Sequence, residues 1–126
     1  MKLIFLDIDG VLNSHKTIPD PKYPGRNMGN EEVQLLNMIA EEILDVQFVI
    51  SSAWRIFGKE EILERLACFD FKGKLHKDWC TVKLSSALQT TLYEQYKEKA
   101  PYRGMEINAW LKSINIQKTR QLRNLR

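Results

Sequence analysis

"FLDIDGVLN", residues 5–13, is the stretch from which the rest of the chain is read. The run Lys2-Leu3-Ile4-Phe5-Leu6 reads as a buried β-strand over about 2–7. Asp7 and Asp9 close that strand, one residue apart, and are followed by Gly10 and two more apolar residues. A charge buried at such a point is costly unless something compensates it. Two carboxylates so placed imply a shared ion or a shared reaction.

Working outward, residues 13–29 hold Pro19, Pro21, Pro24, Gly25 and Gly29, which predicts an irregular, exposed loop. Asn30 is the expected N-cap of a helix in which Val33, Leu36, Ala40 and Ile43 form an apolar stripe, with Glu31 and Glu32 in the first turn. "VQFVI" at 46–50 reads as a second buried strand ending in Ser51-Ser52, and "KEEILERLACF" at 59–69 as a second amphipathic helix. Within the less legible stretch 70–84, "FKGKL" reads as a short strand. "SSALQTTLYEQYKEK" at 85–99 is helix-compatible, with Ser85 or Ser86 as cap. Pro101 breaks that pattern and "GMEINAWLKSI" starts another helix. Ile114, Ile116, Leu122 and Leu125 suit an amphipathic last helix. Strands alternating with helices imply βαβ units and an α/β fold with a mainly parallel sheet.

In open parallel sheets ligands bind beyond the carboxyl ends of the strands. If the two strands are neighbours, Asp7 and Asp9 meet Ser51 and Ser52 in one crevice. That set suits phosphoryl transfer. A carboxylate nucleophile splits a hard hydrolysis into two steps. A second carboxyl protonates the leaving oxygen and then activates water. Mg²⁺, which takes carboxylate, phosphate and water oxygens, offsets the repulsion between Asp7 and a phosphate dianion.

At this point "FLDIDGVLN" resembles the first motif of the haloacid dehalogenase-like (HAD) phosphohydrolases, DxDG[V/T] after an apolar strand. "FVISSAWR" resembles their second motif. "SSAWR" and "RGMEINAWL" together are similar to a small capless subgroup in which SSxWR precedes RGxEIxxWL. The resemblance spans roughly residues 2–111. It implies a Rossmann-like three-layer sandwich, with Asp7 as nucleophile, Asp9 as general acid/base with its carbonyl on Mg²⁺, and Ser51 holding the phosphoryl group. Gly10 permits the turn out of the site, and Ser52 joins the substrate-binding set. The third-motif cation is assigned to Arg103, with Lys99 second. A capless site implies phosphorylated substrates as large as nucleotides or nucleic-acid ends.

One part of the family pattern is missing. A fourth motif, an apolar strand followed by acids of the Mg²⁺ shell, should follow "AWLKSINI". The chain reads "QKTRQLRNLR" instead, with no acid after Glu106. That strand would lie beside the first, so an exposed edge is expected, open to pairing with another copy of the chain. A truncated or frameshifted gene, a sheet completed by another chain, or a rearranged fold would each account for it. The alternative to an enzyme is an inactive HAD-like remnant or binding module.

Composition bounds the rest. At 126 residues, 44% apolar and 28% charged, the chain reads as one soluble HAD-like domain over 1–126. No window approaches the roughly 18 apolar residues of a membrane span, and the acids at 7 and 9 interrupt any signal-peptide core, so a cytoplasmic setting is expected. Residues 112–126 carry five cations and no acid, against 14 cations and 16 acids elsewhere. A near-neutral body with a basic tail leaves a tail contact with nucleic acid open. Cys68 and Cys80 lack metal or disulfide spacing and read as buried or incidental thiols. His15 and His76 read as surface residues. Trp54 and Trp110 read as core aromatics.

Overall fold

In the computed structural model, residues 2–82 and 102–124 are described, and the chain divides into two compact units, Met1–Cys80 and Thr81–Arg126. The first unit contains strand β1 (Lys2–Leu6), helix α1 (Asn30–Glu42), strand β2 (Val46–Ile50), a 3₁₀ helix (Ala53–Phe57), helix α2 (Lys59–Ala67) and strand β3 (Leu75–Cys80). Among the described residues both pairings are parallel and the order is β1-β2-β3. The helices occupy the two crossovers, as a parallel sheet requires. This is the expected Rossmann-like α/β arrangement.

Burial along the strands follows from that order. In β2, three consecutive residues, Phe48, Val49 and Ile50, are fully buried, so both faces of this strand are covered, as in a central parallel strand. In β1 only Leu6 is buried, while Leu3, Ile4 and Phe5 are half-buried, which suits the edge of the described sheet. The core combines Leu6, Ile8, Leu12, Phe48, Ile50, Trp54, Ile62 and Leu66 with Val33 and Leu36 from the expected stripe of α1. Losing one of the large aromatics from such a core costs about 3–5 kcal/mol.

Several expectations need correction. Asn30 is the first residue of α1 and Gly29 its N-cap, with no side-chain cap bond. The Glu32 carboxylate folds back into the space that a Cβ on Gly29 would need. Helix α2 ends at Ala67, two residues early, because Asp70 adopts a left-handed conformation (φ 60°). Its N–H reaches the Ala67 carbonyl (3.1 Å) and that of Phe71 reaches Leu66 (3.3 Å), a Schellman ending. The strand expected at "FKGKL" starts where that segment stops. Phe71 packs edge-on against Phe48 (5.6 Å between ring centres) and Gly73 fits beneath both rings, so residues 71–74 serve as packing rather than as a strand. β3 itself is irregular. It advances five residues, Leu75 to Cys80, while β2 advances two, Phe48 to Ile50. His76 lies in this bulge and is buried, not on the surface, with its Nδ1 accepting the Asp78 N–H (2.9 Å).

The 13–29 loop is less exposed than its prolines imply. Tyr23 and Met28 are buried. The buried Arg65 guanidinium stacks on Tyr23 (4.5 Å) and on Phe69 (4.8 Å). Arg65 also donates to the Arg26 carbonyl (2.8 Å) and lies 3.8 Å from Asp20. The Cys68 thiol donates to the Tyr23 hydroxyl (3.2 Å), and Arg26 pairs with Glu61. Asn37, buried on α1, accepts the Lys72 N–H (2.7 Å) and donates to the Asp70 carbonyl (3.0 Å), pinning the segment after α2.

The second unit contains helix α3 (Tyr102–Asn124), one uninterrupted helix through both "GMEINAWLKSI" and the segment where the fourth motif is expected. Glu106 and Trp110, four residues apart, are buried. The proposed helix at 85–99, Lys99 and Leu125 lie outside the described residues. No described helix is long and apolar enough to cross a membrane.

Candidate active site

The β1–β2 register builds the site. Pairing runs from Lys2 opposite Val46 to Leu6 opposite Ile50, and the Ser51 N–H continues the ladder onto the Leu6 carbonyl (2.8 Å). Asp7 and Ser51 therefore leave the same end of the sheet from neighbouring strands. Cys80 of β3 stands opposite Ile50 in the next row. Burial pushes its thiol above the ordinary range, and the positive charge of Arg55 acts in the opposite sense.

Beyond Leu6 the chain turns at once. The Ile8 carbonyl accepts both the Val11 N–H (3.1 Å) and the Leu12 N–H (2.8 Å), and the Ile8 side chain is fully buried. Gly10 has φ 83°, a conformation that disfavours a side chain, as expected for the turn leaving the site. Asp7 is half-buried, and its Oδ1 accepts the Ile8 N–H (2.8 Å). Asp9 is exposed, and its Oδ1 accepts from Asn13 Nδ2 (2.9 Å) and from Trp54 Nε1 (3.0 Å). Asn13 accepts the Gly10 N–H (3.0 Å) and donates to the Asn27 carbonyl (2.9 Å), which joins the turn to the far end of the loop.

The two serines divide their work. Ser52 Oγ accepts the Trp54 N–H (3.2 Å), capping the 3₁₀ helix, so this hydroxyl is engaged locally. Ser51 is buried, and its main-chain N–H is the group that extends the ladder onto Leu6. Trp54 is in the core, edge-on to Phe57 (5.6 Å), as expected, but its indole N–H extends to Asp9. Trp54 and Asn13 are the two site contacts that the sequence reading missed. A buried indole N–H needs an acceptor, and that was the available signal.

The structure brings Asp7, Asp9, Gly10, Ser51 and Ser52 together within the first unit. Arg103 belongs to the second, where its guanidinium lies 3.5 Å from the buried Glu106 carboxylate. Lys99 lies outside the described residues. No cluster of three or more His, Cys, Asp or Glu side chains suited to a metal occurs among the described residues. The donors available at the turn are hard oxygens from two acids. Mg²⁺ is commonly held by one or two carboxylates, completing its octahedron with water and phosphate oxygens, so this set fits Mg²⁺. It lacks the nitrogen and sulfur ligands of a typical zinc site.

The family model described as "HAD domain in Swiss Army Knife RNA repair proteins" matches residues 3–121. The comparisons with curated proteins and with solved structures give no match.

Proposed function

The chain belongs to the family of HAD domains in Swiss Army Knife RNA repair proteins, and from this we propose a phosphomonoester hydrolase that works through an aspartyl-phosphate. The observation that carries the reading is the Leu6–Ile50 register, extended by the Ser51 N–H, which sets Asp7 and Ser51 side by side. In the first half-reaction an Asp7 oxygen bonds phosphorus. The phosphorus–oxygen bond to the leaving group breaks with its electron pair, and the leaving oxygen takes the Asp9 proton. In the second, a water oxygen bonds phosphorus while passing a proton back to Asp9, and the Asp7–phosphorus bond pair returns to Asp7. Ser51 binds the phosphoryl oxygens, Ser52 orders the chain beneath them, and Gly10 lets the turn clear the site. Arg103, with Lys99 as the alternative, neutralises the developing charge. The Asp7 carboxylate and the Asp9 main-chain carbonyl would hold Mg²⁺, which when bound lowers the repulsion between the phosphate dianion and the acids.

The substrate we favour is a terminal phosphate on a nucleic acid, with free nucleotides second. The family description supports it, and so do Lys112, Lys118, Arg120 and Arg123 on α3. Phosphate contacts by these cations would weaken as salt rises. The proposal treats residues 1–126 as one HAD-like domain, with the basic segment 112–126 where the fourth-motif strand would come. A cytosolic setting and a second copy pairing along the outer edge of β1 belong to the same proposal.

Turnover of an aryl phosphate in Mg²⁺ and in EDTA, for wild type and Asp7→Asn, tests the mechanism. Activity requiring both Mg²⁺ and Asp7 is the expected result. Equal turnover by Asp7→Asn in a clean preparation would sink it. The acid-free helix over residues 107–124 favours the second reading, a catalytically inactive binding module. That reading requires no turnover and no stabilisation by Mg²⁺ under any condition.

A further inference from the structure

Asp9 presents one oxygen that is already engaged twice. Trp54 Nε1 and Asn13 Nδ2 both donate to Oδ1, at 3.0 and 2.9 Å. Neither donor can exchange roles with the acid. An indole N–H only donates. The Asn13 amide is oriented by two other partners of opposite kind, since the Gly10 N–H requires its oxygen and the Asn27 carbonyl requires its nitrogen. Both amide hydrogens are therefore assigned. A proton on Oδ1 would face two donors with no acceptor, so that oxygen stays bare while both contacts hold.

Each donor is itself held from outside the turn. The Trp54 ring is buried in the core against Phe57, and its main-chain N–H is tied to Ser52 Oγ. Asn13 is tied to Gly10 within the turn and to Asn27 at the far end of the loop. The Asp9 carboxyl is thus gripped between the start of the second crossover and the end of the first loop.

The geometry points to Trp54 and Asn13 as positioning residues that fix Asp9 with Oδ1 as a permanent acceptor, confining the exchanged proton to Oδ2. This rests on the reading of Asp9 as the general acid/base. It gives the tryptophan of "SSAWR" a task beyond packing, since only its N–H is needed for it.

The test compares Trp54→Phe, which keeps a ring in the core and removes the N–H, with wild type, Asp9→Asn and the double variant. The substrates are phenyl phosphate, whose leaving oxygen needs a proton, and 2,4-dinitrophenyl phosphate, whose leaving oxygen does not. Since a positioned acid contributes at least about a hundredfold, Trp54→Phe is expected to lower kcat/KM on phenyl phosphate, which reads only the first half-reaction, by about tenfold. The loss of kcat/KM on the dinitrophenyl ester should be several times smaller. In the Asp9→Asn background the same substitution should cost nothing further. Equal losses on the two esters, or a fully additive loss in the double variant, would overturn the assignment. Asn13→Ala, remote from the core, repeats the measurement if Trp54→Phe folds poorly.

A second readout separates this inference from the phosphatase reading. In a ¹H–¹⁵N spectrum, the indole cross-peak absent from Trp54→Phe should move upfield in Asp9→Ala. If wild type shows no Asp7-dependent turnover and the peak still moves, the grip on Asp9 stands and the phosphatase reading falls. A peak that stays in place overturns the grip itself.

Discussion

The turn at 7–13 and the loop at 14–29 are consecutive, and both lack regular structure, yet they are fastened in different ways. The turn is held by short directional bonds: two N–H groups on the Ile8 carbonyl, and Asn13 bridging Gly10, Asp9 and Asn27. The loop has hydrogen-bonded turns of its own, but what fastens it to α2 is chiefly Tyr23 stacked on the Arg65 guanidinium, with Asp20 and the Arg26 carbonyl around the same cation. Hydrogen bonds fix direction within tens of degrees. A stacked ring supplies attraction with far looser orientation. Where an acid must face one way, the chain uses the first kind, and where it must only close a surface, the second.

The sharpest way to break this comparison is Arg65→Ala. It removes a buried cation from two rings, a carbonyl and an acid, and is expected to cost about 2–3 kcal/mol in urea denaturation. Cleavage in limited proteolysis should concentrate within 14–22, while the Trp54 indole cross-peak stays in place. If that peak moves as well, turn and loop are one structure and the contrast fails. Asn13→Ala should be milder in stability, about 1 kcal/mol, because its bonds are mostly exposed. Its effect should appear in catalysis and leave the proteolysis pattern intact.

A pH titration reads the loop alone. The neighbouring Cys68 thiol and burial together push the Tyr23 hydroxyl from its ordinary 10.0 up to about 12. The folded state thus favours the neutral phenol, so this contribution to stability is complete below pH 10.0 and lost as pH rises towards about 12. One of the four tyrosines should ionise last in ultraviolet absorbance, and Tyr23→Phe should abolish that late step. The smallest effect concerns the thiols. Cys68 is exposed and Cys80 is half-buried with its thiol pushed up, so brief alkylation followed by mass spectrometry should label Cys68 first.

Much of the fold was legible because apolar runs and turn residues carry it. "KLIFL", "VQFVI" and the Val33–Leu36 stripe each mark an element within a residue or two of its place. β3 was not, since "LHKDWC" alternates poorly and bulges against β2, so no period survives in its sequence. Glycine and proline marked the loop from 13 to 29, but a tyrosine inside a polar stretch does not announce that it will be buried under an arginine 42 positions later. At the site, the pairing of Asp7 with Ser51 followed from two strands and one topological rule. The Trp54 and Asn13 contacts did not, because they depend on where the 3₁₀ helix and residue 27 come to rest.

Asn13 is followed by Ser14, and an asparagine in this setting can age: the next main-chain nitrogen attacks the side-chain carbonyl and expels ammonia, and hydrolysis of the cyclic imide leaves a carboxylate. Here that nitrogen donates to Thr17 Oγ1 at 2.9 Å, and the Asn13 amide is held through both its oxygen and its nitrogen, so neither group swings into the geometry of attack. The folded turn therefore slows its own chemical decay. Each opening of residues 13–17 exposes the amide to an irreversible change. Its product would set a third negative charge beside Asp7 and Asp9 in place of a donor, so this site should wear out at a rate set by how often the loop opens, not by how often it turns over.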